Sequence, residues 1–529
     1  MPVFLTKSLK HEGKFDRAIH IGHADTTVTG SSPVLDSSTL LESAFDDIYD
    51  IWRTIALSLQ AQPSAQLAHM PTMSTYASDF GVMLAWQRVI EKLCEAPEST
   101  LVYCSDPWLF RSLARLPNIQ SGSAPSLLRK SATFWVRGYL ARTKLCAQLV
   151  INKYKASKFL GNANPQEHWI LVYGHPDSNA QGADAYFGSM LHDLPNLRRA
   201  MHTDCNATFA QKLAADNKTI SLHAFGSIVS LLQLLWQKWR PDTSTIDPKY
   251  SWLVMRAAAL EGSGGSAAMT TWQRTCHWSW LNSMRPKSVC WPWENHPWER
   301  DFVRKARRIG VKTYGYQHTV VGRHMFNQGA DANIDGLESI PDKIFLNGPS
   351  YFDDLESRGI PKERMVIMGS HRIGKNQLPT HRQDGVVFLA LSNNPSFAQQ
   401  MMDAVRPLAS RDLQFIVKAH PLNPHPIEES DFFTSTKAPL GSLPPLRALI
   451  YCTGTTGLEG LLAGIPTLRF IPNDGVALDI LPSDMQVTPV SRSNIKQALL
   501  ALPEVRALNV EQFFPPPDLK KWQAILETE

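Results

Sequence analysis

Short apolar runs ended by turn residues alternate with amphipathic stretches along most of the chain, which is the pattern of strand-helix-strand units in parallel sheets. Between residues 384 and 510 the runs 386–391, 415–419, 448–452, 467–471 and 486–490 read as strands with helical stretches between them. A second series, 169–173, 220–223, 288–291, 312–316, 343–347 and 365–368, predicts another α/β domain beginning near residue 165. The first 160 residues offer strands near 17–21 and 101–104 and an amphipathic helix over 40–59, which either extend the second unit or form a lobe of their own. The polar stretch 374–384 reads as a linker, 513–517 as a break, and 518–526 as a short terminal helix.

The chemistry gathers at strand ends. The strand 415–419 delivers His420 and Pro421, and 448–452 delivers Thr453, Gly454, Thr455, Thr456 and Gly457 just before a helix predicted over 458–463. Ligands of open parallel sheets bind outside the carboxyl ends of the strands. Backbone N–H groups at a helix start, joined by threonine hydroxyls, suit a phosphate. Gly454 and Gly457 permit a tight backbone path, Gly464 and Pro466 end the helix, and Glu459 stands where it reaches a ribose diol. The plainer alternatives are a helix cap for the threonines, a solvated carboxylate for Glu459 and a core or capping histidine for His420. Ser392, Asn393 and Asn394 end the first strand of this unit, either as a further phosphate-facing turn or as a turn alone.

A second block, residues 288–326, reads as strand 288–291, helix 298–309 and strand 312–316, with Glu294 and His318 at the two strand ends as an acid/base pair. Trp293 and Trp298 flank Glu294, so desolvation is expected to raise its pKa. For His318 the alternative is a buried, hydrogen-bonded histidine, and for Glu299 a charge favoured by the helix dipole. Glu261, beside the glycine-rich stretch 260–266, is a second candidate carboxylate; that stretch fits neither a Walker loop nor G-x-G-x-x-G. Six tryptophans, at 272, 278, 280, 291, 293 and 298, either wall an acceptor sugar or fill a core, and core packing is the simpler reading.

The His-Pro strand end, the hydroxyl-rich loop and the G-x-E-G-x-x-x-G-x-P helix resemble the C-terminal domain of GT-B glycosyltransferases, and are most similar to those using CMP-activated sugars. In such sialyl- and Kdo-transferases the His-Pro histidine and a Ser/Thr pair contact the CMP phosphate, which implies that role for His420, Thr455 and Thr456. The chain departs from them in having threonines where serines are usual and in lacking a clear acidic-acidic-glycine motif. Glu294, Trp298, Glu299, Gly315, Gln317 and His318 resemble a family of bacterial surface-carbohydrate biosynthesis proteins of O-antigen and capsule systems. The resemblance spans roughly residues 252–502.

It implies an α/β GT-B fold: two Rossmann-like domains facing a cleft, with an additional N-terminal α/β region. Residues 1–164 would belong to the acceptor side, 165–375 would form the acceptor domain, 384–510 the donor domain, and 511–529 a tail helix. The implied activity is transfer of Kdo or a nonulosonic acid from a CMP donor to a glycan or lipid-linked glycan acceptor. Glu294 or Glu261 would act as base or nucleophile, His318 would orient the substrates, and no cofactor or metal would be required. A CDP-glycerol-type phosphotransferase, a UDP-sugar 2-epimerase and a non-catalytic GT-B scaffold partner remain alternatives.

Composition narrows the picture further. With 529 residues, 43% hydrophobic and 19% charged, the chain is long enough for two or three globular domains. No apolar run reaches membrane-spanning length and the start lacks an apolar signal core, so a cytoplasmic protein is expected. Seven scattered cysteines without a C-x-x-C pair suggest neither a disulfide framework nor a zinc site. The net charge of +5 includes clusters at Arg304, Lys305, Arg307 and Arg308 and at Arg198 and Arg199. These suit an anionic glycan or peripheral contact with the inner membrane, a solvated helix face being the plainer reading. No motif supports nucleic-acid binding.

Overall fold

The computed structural model describes residues 3–8, 13–22, 32–160, 167–371, 378–421, 423–505 and 508–528. Three parallel sheets organise the chain. The first contains β1 (Val3–Thr6), β2 (Arg17–Ile21), β3 (Thr100–Cys104) and β4 (Ile119–Ser121), in the order β2-β3-β1-β4. The second is built from β5 (His168–Val172), β6 (Leu197–Met201), β7 (Thr219–Ser221), β8 (Ser288–Pro292), β9 (Lys312–Tyr316), β10 (Lys343–Leu346) and β11 (Met365–Ile367). Its order is β11-β10-β9-β8-β5-β6-β7. The third holds β12 (His381–Ala390), β13 (Phe415–Lys418), β14 (Phe433–Ser435), β15 (Leu446–Tyr451), β16 (Thr467–Phe470) and β17 (Thr488–Val490), in the order β14-β13-β12-β15-β16-β17.

Counted from its own first strand, the third sheet runs 3-2-1-4-5-6, and the second has the same order with one more strand at its far edge. Both are therefore doubly wound, Rossmann-like sheets, and each has a switch point where the winding reverses. In the second sheet that point lies between β5 and β8; in the third it lies between β12 and β15.

The first sheet has its own apolar core. That core also takes in Trp239, Leu253 and Val254 from the middle of the chain, Phe326 from the loop after β9, and Val476 and Leu478 from the loop after β16. The first unit is thus wedged against both of the others. The helix Leu519–Thr528 returns to the second sheet, where Trp522 is fully buried against Phe345, Tyr316 and Phe187. Among the described residues no helix is long and apolar enough to cross a membrane.

Several local expectations change. The helix expected over 40–59 is two helices, Ser38–Asp46 and Tyr49–Gln60, broken at Asp47 and Ile48. The strand expected at 220–223 stops at Ser221 and gives way to the 3-10 turn Leu222–Phe225. β12 begins at His381, inside the expected linker, of which residues 374–377 lie outside the described set. β6 was not foreseen, because two arginines interrupt its apolar pattern. Arg199 is wholly buried there, paired with Asp216 at 2.8 Å and Asp184 at 3.5 Å, while Arg198 pairs with Glu167. The Arg198–Arg199 pair is therefore structural and not a glycan or membrane surface. Arg304 and Arg307 are likewise engaged, with Asp335 and with Glu338 and Asp342.

Candidate functional site

The loop that follows β8 at its switch point carries Glu294, Asn295 and His296. The turn is held from beneath by Glu299, which is buried in the first turn of the helix Pro297–Arg308. Its carboxylate accepts hydrogen bonds from the Trp291 indole at 2.8 Å and from the backbone N–H groups of Glu294, Asn295 and His296 at 3.1, 3.1 and 3.0 Å. Asn295 adopts φ +55°, a left-handed conformation that asparagine tolerates better than most residues. Glu299 is therefore a builder of the turn, its own pKa raised by burial.

The result is a compact charged cluster. Glu294 Oε2 lies 2.6 Å from His296 Nε2, and Oε1 lies 3.6 Å from His318 Nε2 at the end of β9. Burial opposes ionisation here, but the hydrogen bond and charge of His296, then the charge of His318, hold the Glu294 pKa down to about 2. The expected upward shift is overturned because the desolvation that would raise it is outweighed by the His296 hydrogen bond and the charges of His296 and His318. In return, the Glu294 bond and charge raise His296 against its desolvation. Glu294 is therefore ionised at neutral pH, with His296 as its hydrogen-bonded partner.

A strap from the first unit completes this half. Residues 69–76 are pinned by Trp52 Nε1 on the Met70 carbonyl, Gln60 on Pro71 and Arg300 on Thr72. Glu261 belongs to this support, since its carboxylate accepts from the N–H groups of His69 at 3.1 Å and Met70 at 2.8 Å and does not touch Glu294. Burial raises its pKa to about 7. The strap brings the His69 ring edge-on to His296 at 6.4 Å and Ser74 Oγ to 3.5 Å from His296 Nδ1. Tyr76 leaves about half of its surface open, yet its hydroxyl pKa is raised by desolvation and then by the carboxylates of Glu294 and Asp479.

Asp479 lies in the loop after β16 of the third sheet, so the Tyr76 hydroxyl feels carboxylates from both Rossmann-like sheets. The loops that follow β9 and β16 meet directly. Asp479 accepts from the His324 backbone at 3.1 Å and returns a bond to His324 Nδ1 at 2.9 Å, and a Cβ on Gly322 would lie 2.1 Å from the Ile480 carbonyl carbon.

On the third sheet, Ser392 and Asn393 follow β12, and Thr453 to Gly457 follow β15, at the switch point. Gly454 has φ +107° and nothing near its Cβ position, so the loop there requires glycine for its backbone alone. Gly457 is needed for a different reason: a Cβ would sit 2.3 Å from the ring of Tyr451. Thr453, Thr455 and Thr456 are partly open. The helix begins at Thr456, and Thr455 makes no side-chain capping bond; its hydroxyl lies 3.3 Å from Glu459 Oε1. Ser392 is buried, with its hydroxyl accepting from Asn394 N. Asn393 is exposed, and its carbonyl accepts from the Asn423 side chain at 2.9 Å, which ties the His420–Asn423 turn to this edge.

His420 is partly buried and desolvation lowers its pKa, so it is neutral at pH 7; Pro421 beside it is exposed. β13, which carries His420, is not next to β15, because β12 separates them. Five of the six tryptophans are core residues, and only Trp278 keeps about a third of its surface exposed.

The sequence reading missed His296, His69, Ser74, Tyr76 and Asp479. His296 had a signal, since His296-Pro297 repeats at β8 the His-Pro that marks β13. The others come from distant segments and had none. Two cavities, of about 690 Å³ beside β16 and Asp36 and about 840 Å³ at the amino ends of β12 and β15, touch none of the predicted site residues. Among the described residues no three His, Cys, Asp or Glu side chains gather as metal ligands.

No family model and no curated protein matches this chain. Solved structures similar to it include the glycosyltransferase SnogD from Streptomyces nogalater, with 16% identity over 68% of this chain and all of that one and a TM-score of 0.39. Acinetobacter baumannii MurG follows with 10% identity, 69% and 100% coverage and a TM-score of 0.36. A UDP-N-acetylglucosamine 2-epimerase has 11% identity, 68% and 95% coverage and a TM-score of 0.36.

Proposed function

We propose that the protein is a nucleotide-sugar-dependent glycosyltransferase of the GT-B kind, acting in bacterial surface polysaccharide synthesis, with the donor at the third sheet and the acceptor at the second. One observation carries the reading: a carboxylate–imidazole cluster occupies one switch point, hydroxyls and a glycine-built loop occupy the other, and the loops after β9 and β16 of the two sheets are hydrogen-bonded to each other. Switch points are where doubly wound sheets bind ligands.

When the nucleotide departs, negative charge grows on its phosphate. His420, Thr453, Thr455 and Thr456 serve there as preorganised hydrogen-bond donors, with Pro421, Asn393 and the Gly454–Gly457 backbone shaping the turn around them. His420 acts as a neutral donor, and Glu459 takes the ribose diol. On the acceptor side, a carboxylate with pKa about 2 is a weak base. His318, whose Nε2 lies 3.6 Å from Glu294, takes the acceptor proton while Glu294 stabilises the imidazolium that forms. Glu261 is a positioning residue. The resemblance of the His-Pro and hydroxyl elements favours a CMP-activated acidic sugar, Kdo or a nonulosonic acid.

Thermal-shift titration with CMP, CDP, UDP and GDP tests this, because a ligand of the native state raises stability by RT ln(1 + [L]/Kd). CMP is expected to stabilise the protein, and His420→Ala to abolish that shift while leaving the unliganded melting temperature unchanged. Stabilisation by UDP alone would reassign the donor. No response to any nucleotide would sink the transferase reading.

A further inference from the structure

The helix Leu127–Ala156 has two apolar faces. One, with Gly138, Leu149 and Ala156, is buried against the molecule. The other faces solvent: Leu128 is 82% exposed, Tyr154 66%, Leu140 62% and Trp135 54%. At 3.6 residues per turn these positions fall on one half of the circumference. Lys130, Arg137 and Lys144 recur every seven residues along the border of that stripe. From residue 127 to 160 the chain holds eight lysines and arginines and no aspartate or glutamate.

A second helix widens the patch. Ile228–Leu234 lies alongside, fixed where Arg142 Nε donates to the Leu235 carbonyl at 2.8 Å. Trp236 meets Tyr139 at 5.6 Å, and Tyr139 stacks on Trp135 at 6.0 Å. Ile228, Val229, Leu232 and Trp236 are each at least 61% exposed. Between the long helix and Pro248–Glu261 runs a groove of about 460 Å³ lined by Phe134, Trp135, Arg142, Lys238 and Arg240 among others, with no carboxylate in its wall.

Single exposed apolar residues are ordinary, but a contiguous apolar patch marks a contact surface. Its charge identifies the occupant. A second copy of this face would set cations against cations, whereas an anionic bilayer offers phosphates to the basic row and an interfacial layer in which tryptophan and tyrosine rings are stable. We propose that this two-helix face docks the protein on the surface of an anionic phospholipid membrane, with the aromatic stripe at headgroup depth. The surface differs from the Arg198–Arg199 pair and from Arg304 and Arg307, whose guanidinium groups are paired internally, and it does not depend on the identity of the nucleotide.

Co-sedimentation of the full chain with phosphatidylcholine vesicles, with and without phosphatidylglycerol, tests the assignment. Binding is expected only with phosphatidylglycerol and should fall as salt is raised. The triple variant K130E/R137E/K144E and the double variant W135S/W236S should each lower the bound fraction about tenfold or more. Both should keep the wild-type circular dichroism, melting temperature and nucleotide response, which separates lost docking from lost folding or lost catalysis. Equal binding to neutral vesicles, no binding to either, or undiminished binding by the charge-reversed variant would overturn the proposal. So would sedimentation velocity showing a wild-type dimer that W135S/W236S dissociates, since a second copy would then cover the face.

Discussion

Glu294 and Glu261 are both partly buried carboxylates, and their neighbours drive them in opposite directions. Two imidazoles hold Glu294 down to about 2, whereas Glu261 accepts only neutral backbone N–H groups and rises to about 7. Through linkage, a carboxyl whose folded pKa is raised contributes stability that is fully present below its unfolded value near 4.5 and is lost as pH climbs through about 7. Glu261→Gln should therefore flatten the fall in melting temperature between those limits relative to wild type; an unchanged profile would contradict the assignment. Glu294 has the opposite sign, its contribution being present above about 4.5 and lost as pH falls toward about 2. Glu294→Gln should cut turnover by about 10²- to 10⁴-fold with nucleotide binding retained. It should also lower the His296 pKa, read by imidazole NMR. A variant with full turnover would remove the cluster from catalysis.

At the scale of the element, strand ends and the turns after them carry the proposed chemistry, and packing beneath each turn fixes its shape. Glu299 organises the turn after β8, and Tyr451 fills the space under the helix start after β15. Gly457→Ala should force that ring and the helix apart, costing about 1–3 kcal/mol in urea denaturation and weakening the nucleotide-induced shift. Neutral stability would mean that the ring moves freely aside. The strand ends themselves were legible in the sequence, since apolar runs closed by Glu294, His318, His420 and Thr453 follow from local patterning. β6 was not, because Arg199 is compensated only by Asp184 and Asp216, residues outside the strand.

At the scale of the molecule, the first unit holds the other two together through a shared ionic network. Glu42 pairs with both Arg323 and Arg469, Asp46 with Arg323 and His324, and Asp479 with Arg323 and Arg469. Arg469 is 3% exposed, and removing it leaves the largely buried carboxylates of Glu42 and Asp479 with only the more exposed Arg323 as a partner. Arg469→Ala should cost about 3–5 kcal/mol. Arg323 is 39% exposed and its loss should cost about 1 kcal/mol or less. Chemical denaturation of the two variants checks the difference, and equal effects would show that the network is not the tie between the units.

What the sequence determined by itself was local: the parallel α/β character, most strand positions, and the residues that end them, because hydrophobic periodicity and turn chemistry act over a few neighbouring positions. The order of the strands, the separation of His420 from the threonine loop by β12, and the acidity of Glu294 were decided by tertiary structure. Each depends on which distant segment lies alongside. The strap carrying His69 and Tyr76 is more than 200 residues from Glu294 in the chain, and only folding sets its groups within reach of that carboxylate.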